Sequence, residues 1–432
     1  MKRLMLALLV SLAANVAYAE DKPAQSGTPA EGGAAHKMHM GHAPPPACGE
    51  PKIECAPTAT PFFAKDGRLW LSFSVGDTVY ATWSRDNGKS FAPPTVIAKV
   101  DGATIDDNGE ARPKLVVLND GALVASFTTR PPKSYNGTIF TTRSTDGGKT
   151  FSKPQPLIDG VGQRFEIFTL SPKGRLYVAW LDKSNAEKAK AEGREFAGSG
   201  AAVAWSDDGG VTFKGKKILI DHSCECCRVA AAFDRDGLPV FAWRHVFEDN
   251  HRDHYAAKLS KDGTALNGGR VSEDEWATTC PHHGPSLAID SAGRWHIVWF
   301  ANGKKRRGLF YAHSGDGGKS FSEPENFGDG ERAPSHAYVL AAKGQLYRAW
   351  KEFDGTTTTI MLQSSTNDGK SWSAPRPIAS TTDSSDHPLL IANKGAGYLS
   401  WLTRKEGYRL IPLAQRQAEA PKKAATKAAV AK

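Results

Sequence analysis

The feature that most constrains this chain is a spacing. A glycine is followed six residues later by an aromatic side chain seven times: Gly67/Phe73, Gly121/Phe127, Gly174/Trp180, Gly237/Trp243, Gly293/Trp299, Gly344/Trp350 and Gly395/Trp401. A short apolar run precedes each glycine, as in "PKLVVLNDG" and "PSLAIDSAG", and an alternating stretch such as "RLYVAW" or "RWHIVW" follows it. A second pattern keeps the same period. The stretches "SRDNGKSF", "STDGGKTF", "SDDGGVTF", "SKDGTAL", "SGDGGKSF" and "STNDGKSW" share an S-x-D-x-G core, eroded in the fourth and carrying Asn367 for Asp in the sixth. The aspartate can bond the turn backbone, and the glycine supplies a positive φ. Each unit therefore reads strand, turn, strand, strand, Asp-containing turn, strand. Short strands at this regularity, with no helical period between them, predict an all-β protein, a β-propeller. Seven units predict seven blades, with a six-bladed ring as the alternative. The seventh unit stops near Leu413 without an evident fourth strand, which the segment "GEPKIECA" (49–56) is placed to supply.

Flanking sequence sets the compartment. Lys2 and Arg3, the apolar run "LMLALLVSLAANVA" and Ala17-Tyr18-Ala19 form a basic tip, a hydrophobic stretch and a small-residue cleavage site. They predict a signal peptide over residues 1–19, cut between Ala19 and Glu20, and a periplasmic protein with no membrane insertion. Residues 20–47 and 415–432 are rich in Ala, Pro, Gly and Lys and read as disordered tails around a propeller spanning 48–414. The chain is mildly basic, 55 Lys and Arg against 46 Asp and Glu, but part of the excess sits in the terminal "PKKAATKAAVAK". No nucleic-acid partner is implied. The oligomeric state is left open.

Six cysteines are too few for a disulfide scaffold, and three of them fall within "CECC": Cys224, Cys226 and Cys227. In a propeller the first strand of each blade starts at the mouth of the central channel. Counting back from the repeat glycines aligns Cys224 with Cys280, Cys226 with His282 and Cys227 with His283, on blades four and five. His336 and His387, each eight residues before its glycine, fall at the same mouth on blades six and seven. In blade four, the loop "RHVFEDNHRDHY" adds His245, His251 and His254, and His222 and Arg228 flank the cysteines. Thiolates with imidazoles at one place suit copper, as Cu(I) or Cu(II), and zinc less well. The competing reading is a disulfide, with Cys224–Cys280 its natural pair by equivalence; both readings stay open. A second soft-donor cluster, "HKMHMGH", places His36, Met38, His39, Met40 and His42 in the N-terminal tail as a capture arm. Cys48 and Cys55, close to it, form a candidate disulfide.

The S-x-D-x-G turns resemble those of the Asp-box (BNR-repeat) proteins of the sialidase-like superfamily over about residues 55–414. The set "CECCR…CPxxGP" resembles exported proteins designated exo-α-sialidases that carry these cysteines. The resemblance implies a propeller, six-bladed in sialidases themselves, and raises the question of glycosidase activity. Sialidases place an arginine in an R-I-P motif before the first blade, where this chain has "ECAPTATPFF". Arg112, Arg164 and Arg228 lie at mouth positions and Tyr338 follows His336, but the arginine triad does not map residue by residue. The sequence therefore predicts a periplasmic copper-binding propeller for sequestration, delivery or tolerance, with no catalytic residue assigned and another periplasmic copper protein as a candidate partner. A sialidase-like hydrolase or glycan-binding module is the alternative.

Overall fold

A computed structural model describes residues 51–160, 162–277 and 282–414. The signal peptide, the His/Met cluster, Cys48, Cys280 and the basic tail lie outside the described residues. The described chain forms seven antiparallel sheets in sequence order, the blades of a β-propeller. Blade one is typical: Ala59–Phe63, Leu69–Val75, Thr78–Ser84 and Thr95–Lys99, paired successively. Its neighbour has an inner edge in two pieces, Thr104–Ile105 and Lys114–Val117, both paired to Leu123–Arg130. Among the described residues one α-helix occurs, Ser184–Ala191, an excursion of blade three. No described helix is long and apolar enough to cross a membrane.

The glycine-to-aromatic spacing works through the second strand of each blade. All seven glycines sit at positive φ, from 74° to 90°, in the turn between first and second strands. Six residues on, Phe73, Phe127, Trp180, Trp243, Trp299, Trp350 and Trp401 are all essentially inaccessible to solvent. These strands are covered on both faces by adjacent blades, so they are apolar almost throughout, as Leu176–Asp182 and Pro239–Arg244 show. Trp180 of blade three, for example, packs with Val116, Val124 and Ile139 of blade two. Each such ring removes enough apolar area from water to contribute about 1.5–3 kcal/mol.

The S-x-D turns join third and fourth strands. In the first, Ser84 Oγ donates to Asp86 Oδ1 (2.7 Å) and accepts from Gly88 N (2.8 Å), while Asp86 Oδ1 accepts from Ser90 N (2.9 Å). Asp146, Asp208 and Asp316 repeat the arrangement. Asn367 keeps it with its amide oxygen on Ser371 N (3.0 Å) and reverses one bond, donating Nδ2 to Ser371 Oγ (2.8 Å). Strand alternation puts these turns at the end of the ring opposite the starts of the inner strands.

Among the described residues blade seven has three strands, Leu389–Asn393, Ala396–Thr403 and Gly407–Pro412. Among the described residues the segment expected to add a fourth forms instead the 3-10 turn Ile53–Cys55, with Glu54 against Gly407. Pro51 and Pro57, which lack backbone donors, flank this turn. The ring closes by apolar packing of Leu69, Leu71 and Phe73 on Leu402, Tyr408 and Leu410.

Candidate functional site

The cysteine stretch is the passage from the outer strand of blade three, Lys214–Ser223, to the inner strand of blade four, Ala230–Phe233. It is pinned by Cys224 N donating to Arg244 O (2.8 Å) and Val246 N donating to His222 O (2.6 Å). Cys224, Cys226, Cys227 and Val246 form their own buried cluster, separate from the blade cores. The three Sγ atoms lie within 4.8 Å of one another, with Cys224–Cys226 at 3.6 Å and Cys226–Cys227 at 3.8 Å. Cys224 and Cys227 are thiols, whereas Cys226 is disulfide-bonded, as is Cys55. The equivalence that paired Cys224 with Cys280 is thus not followed. The Cys224 sulfur is turned instead toward Cys227 and the Arg252 guanidinium, whose Nη1 lies 3.6 Å away.

This thiol pair is electrostatically asymmetric. The hydrogen bond from Cys227 pulls Cys224 down to about 6; Arg244 and Arg252 assist, and burial opposes them. The same bond, together with burial, pushes Cys227 well up. Two buried sulfurs that share one proton behave this way, with the negative charge favoured on Cys224.

The structure does not gather the predicted histidines around these sulfurs. His282 is exposed, with positive φ, and its Nδ1 bonds the Cys226 carbonyl (3.1 Å) rather than presenting itself to sulfur. His283 points away, edge-on to Phe300 at 4.5 Å and 4.0 Å from the His336 ring. Register equates its position with Cys227, but consecutive residues in a loop need not share a side. His222 rests on Phe196, with its Nδ1 3.1 Å from the Ala197 carbonyl. His245 lies between Phe247 and Tyr255, pushed down to about 4 by burial. His254 is fully buried beside Trp299. His251 is half-buried and, like these, joins neither ligand group found among the described residues.

A second group stands at the same mouth: Glu110, His336 and His387, whose ligand atoms again lie within 4.8 Å of one another. The His336 and His387 rings are 3.7 Å apart between centroids, and His283 extends the stack. Glu110 was missed in the sequence, although the register contains it: it lies 11 residues before Gly121, as Cys226 and His282 do before their glycines. A carboxylate at that count carries no soft-donor signal, unlike cysteine or histidine. Glu110 Oε2 accepts from Arg228 N (2.9 Å) and Gly284 N (2.8 Å), and Oε1 pairs with the Arg228 guanidinium, so one carboxylate ties blades two, four and five. Two glycines make room. A Cβ on Gly284 would come within 2.4 Å of Arg228 Cγ, and one on Gly109 within 2.7 Å of His387 Cε1.

The mouth arginines are all engaged. Arg112 grips Asp386 through both terminal nitrogens (2.9 and 2.8 Å), and Arg164 Nε bonds Asp106 (2.7 Å). The Arg228 guanidinium lies 4.6 Å from the Tyr338 ring centre. Lys351, pushed down to about 8 by burial, reaches among the described residues the carbonyls of Ser385 (3.3 Å) and Asp386 (3.5 Å).

No protein-family model matches this chain, and no curated protein does. Solved structures do match. A polysaccharide lyase of family PL25, an ulvan lyase bound to -[GlcA(1-4)Rha3S]-, is 11% identical with a TM-score of 0.55, over 81% of this chain and 90% of its own. The polysaccharide lyase Uly1 is 9% identical with a TM-score of 0.50, over 82% and 88%. The Hadza microbial sialidase Hz136 is 17% identical with a TM-score of 0.46, over 80% and 76%. At these identities the likeness is one of fold, a β-propeller.

Proposed function

We propose that this protein is an exported copper-binding propeller of the Asp-box type, holding Cu(I) between Cys224 and Cys227 at the channel mouth. The observation that carries the reading is the buried pair Cys224 and Cys227, with sulfurs within 4.8 Å of each other and the Arg252 guanidinium 3.6 Å from the Cys224 sulfur. Two metal–thiolate bonds of about 2.3 Å each span such a gap, and sulfur donors select soft monovalent copper over harder ions. The arriving ion displaces the shared proton, and its positive charge meets a sulfur already favoured as an anion. The His36–His42 segment serves as the capture arm and passes copper to the mouth, for sequestration or delivery to another periplasmic copper protein. Zinc is the less favoured occupant.

The test is copper stoichiometry of protein purified from periplasm and loaded with Cu(I) under a mild thiol buffer. Cys224→Ser and Cys227→Ser should each lose one equivalent, and deletion of residues 36–42 should lower stoichiometry separately. Parent-level copper in both serine variants would sink the reading. A second reading, an acidic-glycan hydrolase or binding module, draws on Tyr338 beneath Arg228 and on buried Lys351, which has only carbonyl partners. Release of product from a fluorogenic sialoside or a uronate-containing polysaccharide would favour it.

A further inference from the structure

We infer that His336 and His387, backed by Glu110 and flanked by His283, form a second metal site, for a borderline divalent ion such as Cu2+ or Zn2+, separate from the thiol pair. Three imidazoles from blades five, six and seven lie ring against ring, 4.0 and 3.7 Å between centroids. Neutral imidazoles tilted against one another at 53° and 33° gain little from the contact, and burial has removed water from their Nδ1 atoms. His283 Nδ1, His336 Nδ1 and His387 Nδ1 are all buried without a hydrogen-bond partner among the described residues. His387 as a whole is only 7% exposed. Orphaned nitrogens at this density carry a desolvation cost that a shared cation removes.

The surroundings fit an imidazole-ligated ion. Glu110 Oε1 stands 3.5 Å from His387 Nδ1, too far to satisfy that nitrogen but close enough for one ion to be shared by both. His336 holds φ near +50°, a conformation that a non-glycine residue adopts at a cost and that here aims its ring into the stack. Gly109 leaves open the space His387 occupies. Burial and the nearby Arg112, Arg228 and Lys351 keep His336 and His387 neutral, the form a metal requires. Of those cations, Arg112 is neutralised by Asp386 and Arg228 by Glu110, which leaves Lys351 as the one that opposes an incoming ion. Imidazole with carboxylate suits Zn2+ and Cu2+, whereas sulfur suits Cu(I), so the two groups differ in the ion they prefer.

The proposal stands apart from the thiol reading, and one experiment separates their failures. Full-length protein is dialysed against Zn2+ and bound metal is counted in the parent, His336→Asn, His387→Gln and Cys224→Ser. Asparagine tolerates the left-handed backbone of position 336 while removing the imidazole. The expected result is one equivalent fewer in each histidine variant than in Cys224→Ser. In Cu2+-loaded Cys224→Ser, electron paramagnetic resonance should show nitrogen couplings that diminish when His387→Gln is added. Lys351→Met should tighten Zn2+ binding several-fold. Parent-level Zn2+ in both histidine variants overturns the proposal, whatever the copper result at the cysteines. If thermal melts show that the histidine variants fail to fold, ring-nitrogen resonances of the parent replace them. Shifts of His336 and His387 on adding Zn2+ are expected, and unmoved resonances overturn the proposal.

Discussion

The two ends of this propeller are built on opposite plans. At one end the S-x-D turn recurs from blade to blade with nearly the same bonds, on carboxylates that are solvated and self-contained. At the other, no two blades match. Carboxylates there are buried and reach across blades: Glu110 to blades four and five, Asp386 of blade seven to Arg112 of blade two. The same chemical group thus serves a local hydrogen-bonding role at one end and a long-range tie at the other. Repetition marks the end whose residues the fold itself dictates, and irregularity marks the end whose residues it leaves free to vary.

The sharpest way to break that contrast is to remove one carboxylate from each end. Glu110→Ala strands the buried Arg228 guanidinium and should cost about 3–5 kcal/mol in urea unfolding, in line with breaking a buried pair. Asp316→Asn at the turn end should shift the midpoint far less, because Asn367 already performs the same task in the next blade. Equal effects would erase the distinction between the two ends. Next in size, Gly109→Ala sets a Cβ against the His387 ring at a backbone φ of +86°. It should destabilise by about 1–3 kcal/mol and lower Zn2+ binding. A Gly67→Ala control, also at positive φ but with only the Lys394 Nζ at an ordinary 4.0 Å, should cost less and leave metal binding unchanged.

Acid sharpens the contrast further. The Asp208 carboxylate is held at about 2 by its hydrogen bonds to Thr212, against 3.8 for a free aspartate. Because the folded value is the lower one, its contribution to stability is complete above about 4 and is lost only as pH falls toward 2. Nuclear magnetic resonance of that carboxyl should find its midpoint there, and a midpoint near 4 would contradict the bonding described. The mouth should respond at higher pH. Thiolate absorbance should rise with a midpoint near 6 for Cys224, shift upward in Arg252→Ala and vanish in Cys224→Ser. The Arg252 shift is the smallest effect expected, since that guanidinium is one of several contributors.

The fold was readable because one physical requirement repeats seven times: a left-handed turn at glycine followed by a ring buried between blades. The mouth was readable only as an address. Register placed Cys226, His282 and Glu110 at one level, but it carries no information about which way a loop residue turns, so His283 faced His336 rather than the sulfurs. Positive φ at His222, His282 and His336 re-aims three of the side chains concerned, and nothing in the local sequence announces it. Glu110 escaped for another reason. A carboxylate in an acid-rich loop looks like any solvated surface group until its partners, more than a hundred residues away, are known. The missing fourth strand of blade seven reflects tertiary placement that no repeat count contains.

The Arg112–Asp386 clasp also sets an order of events during synthesis. Its partners are separated by 274 residues, so the guanidinium leaves the ribosome long before the carboxylate that will neutralise it. Until blade seven arrives, Arg112 stays in water, and Ala59 lacks the Asp386 oxygen that its backbone N–H meets at 3.2 Å. Closing the circle and assembling the mouth are therefore one late event. An ion held as proposed by His283, His336 and His387 of blades five, six and seven would find its ligands only on a finished chain, so loading would follow completion rather than guide it.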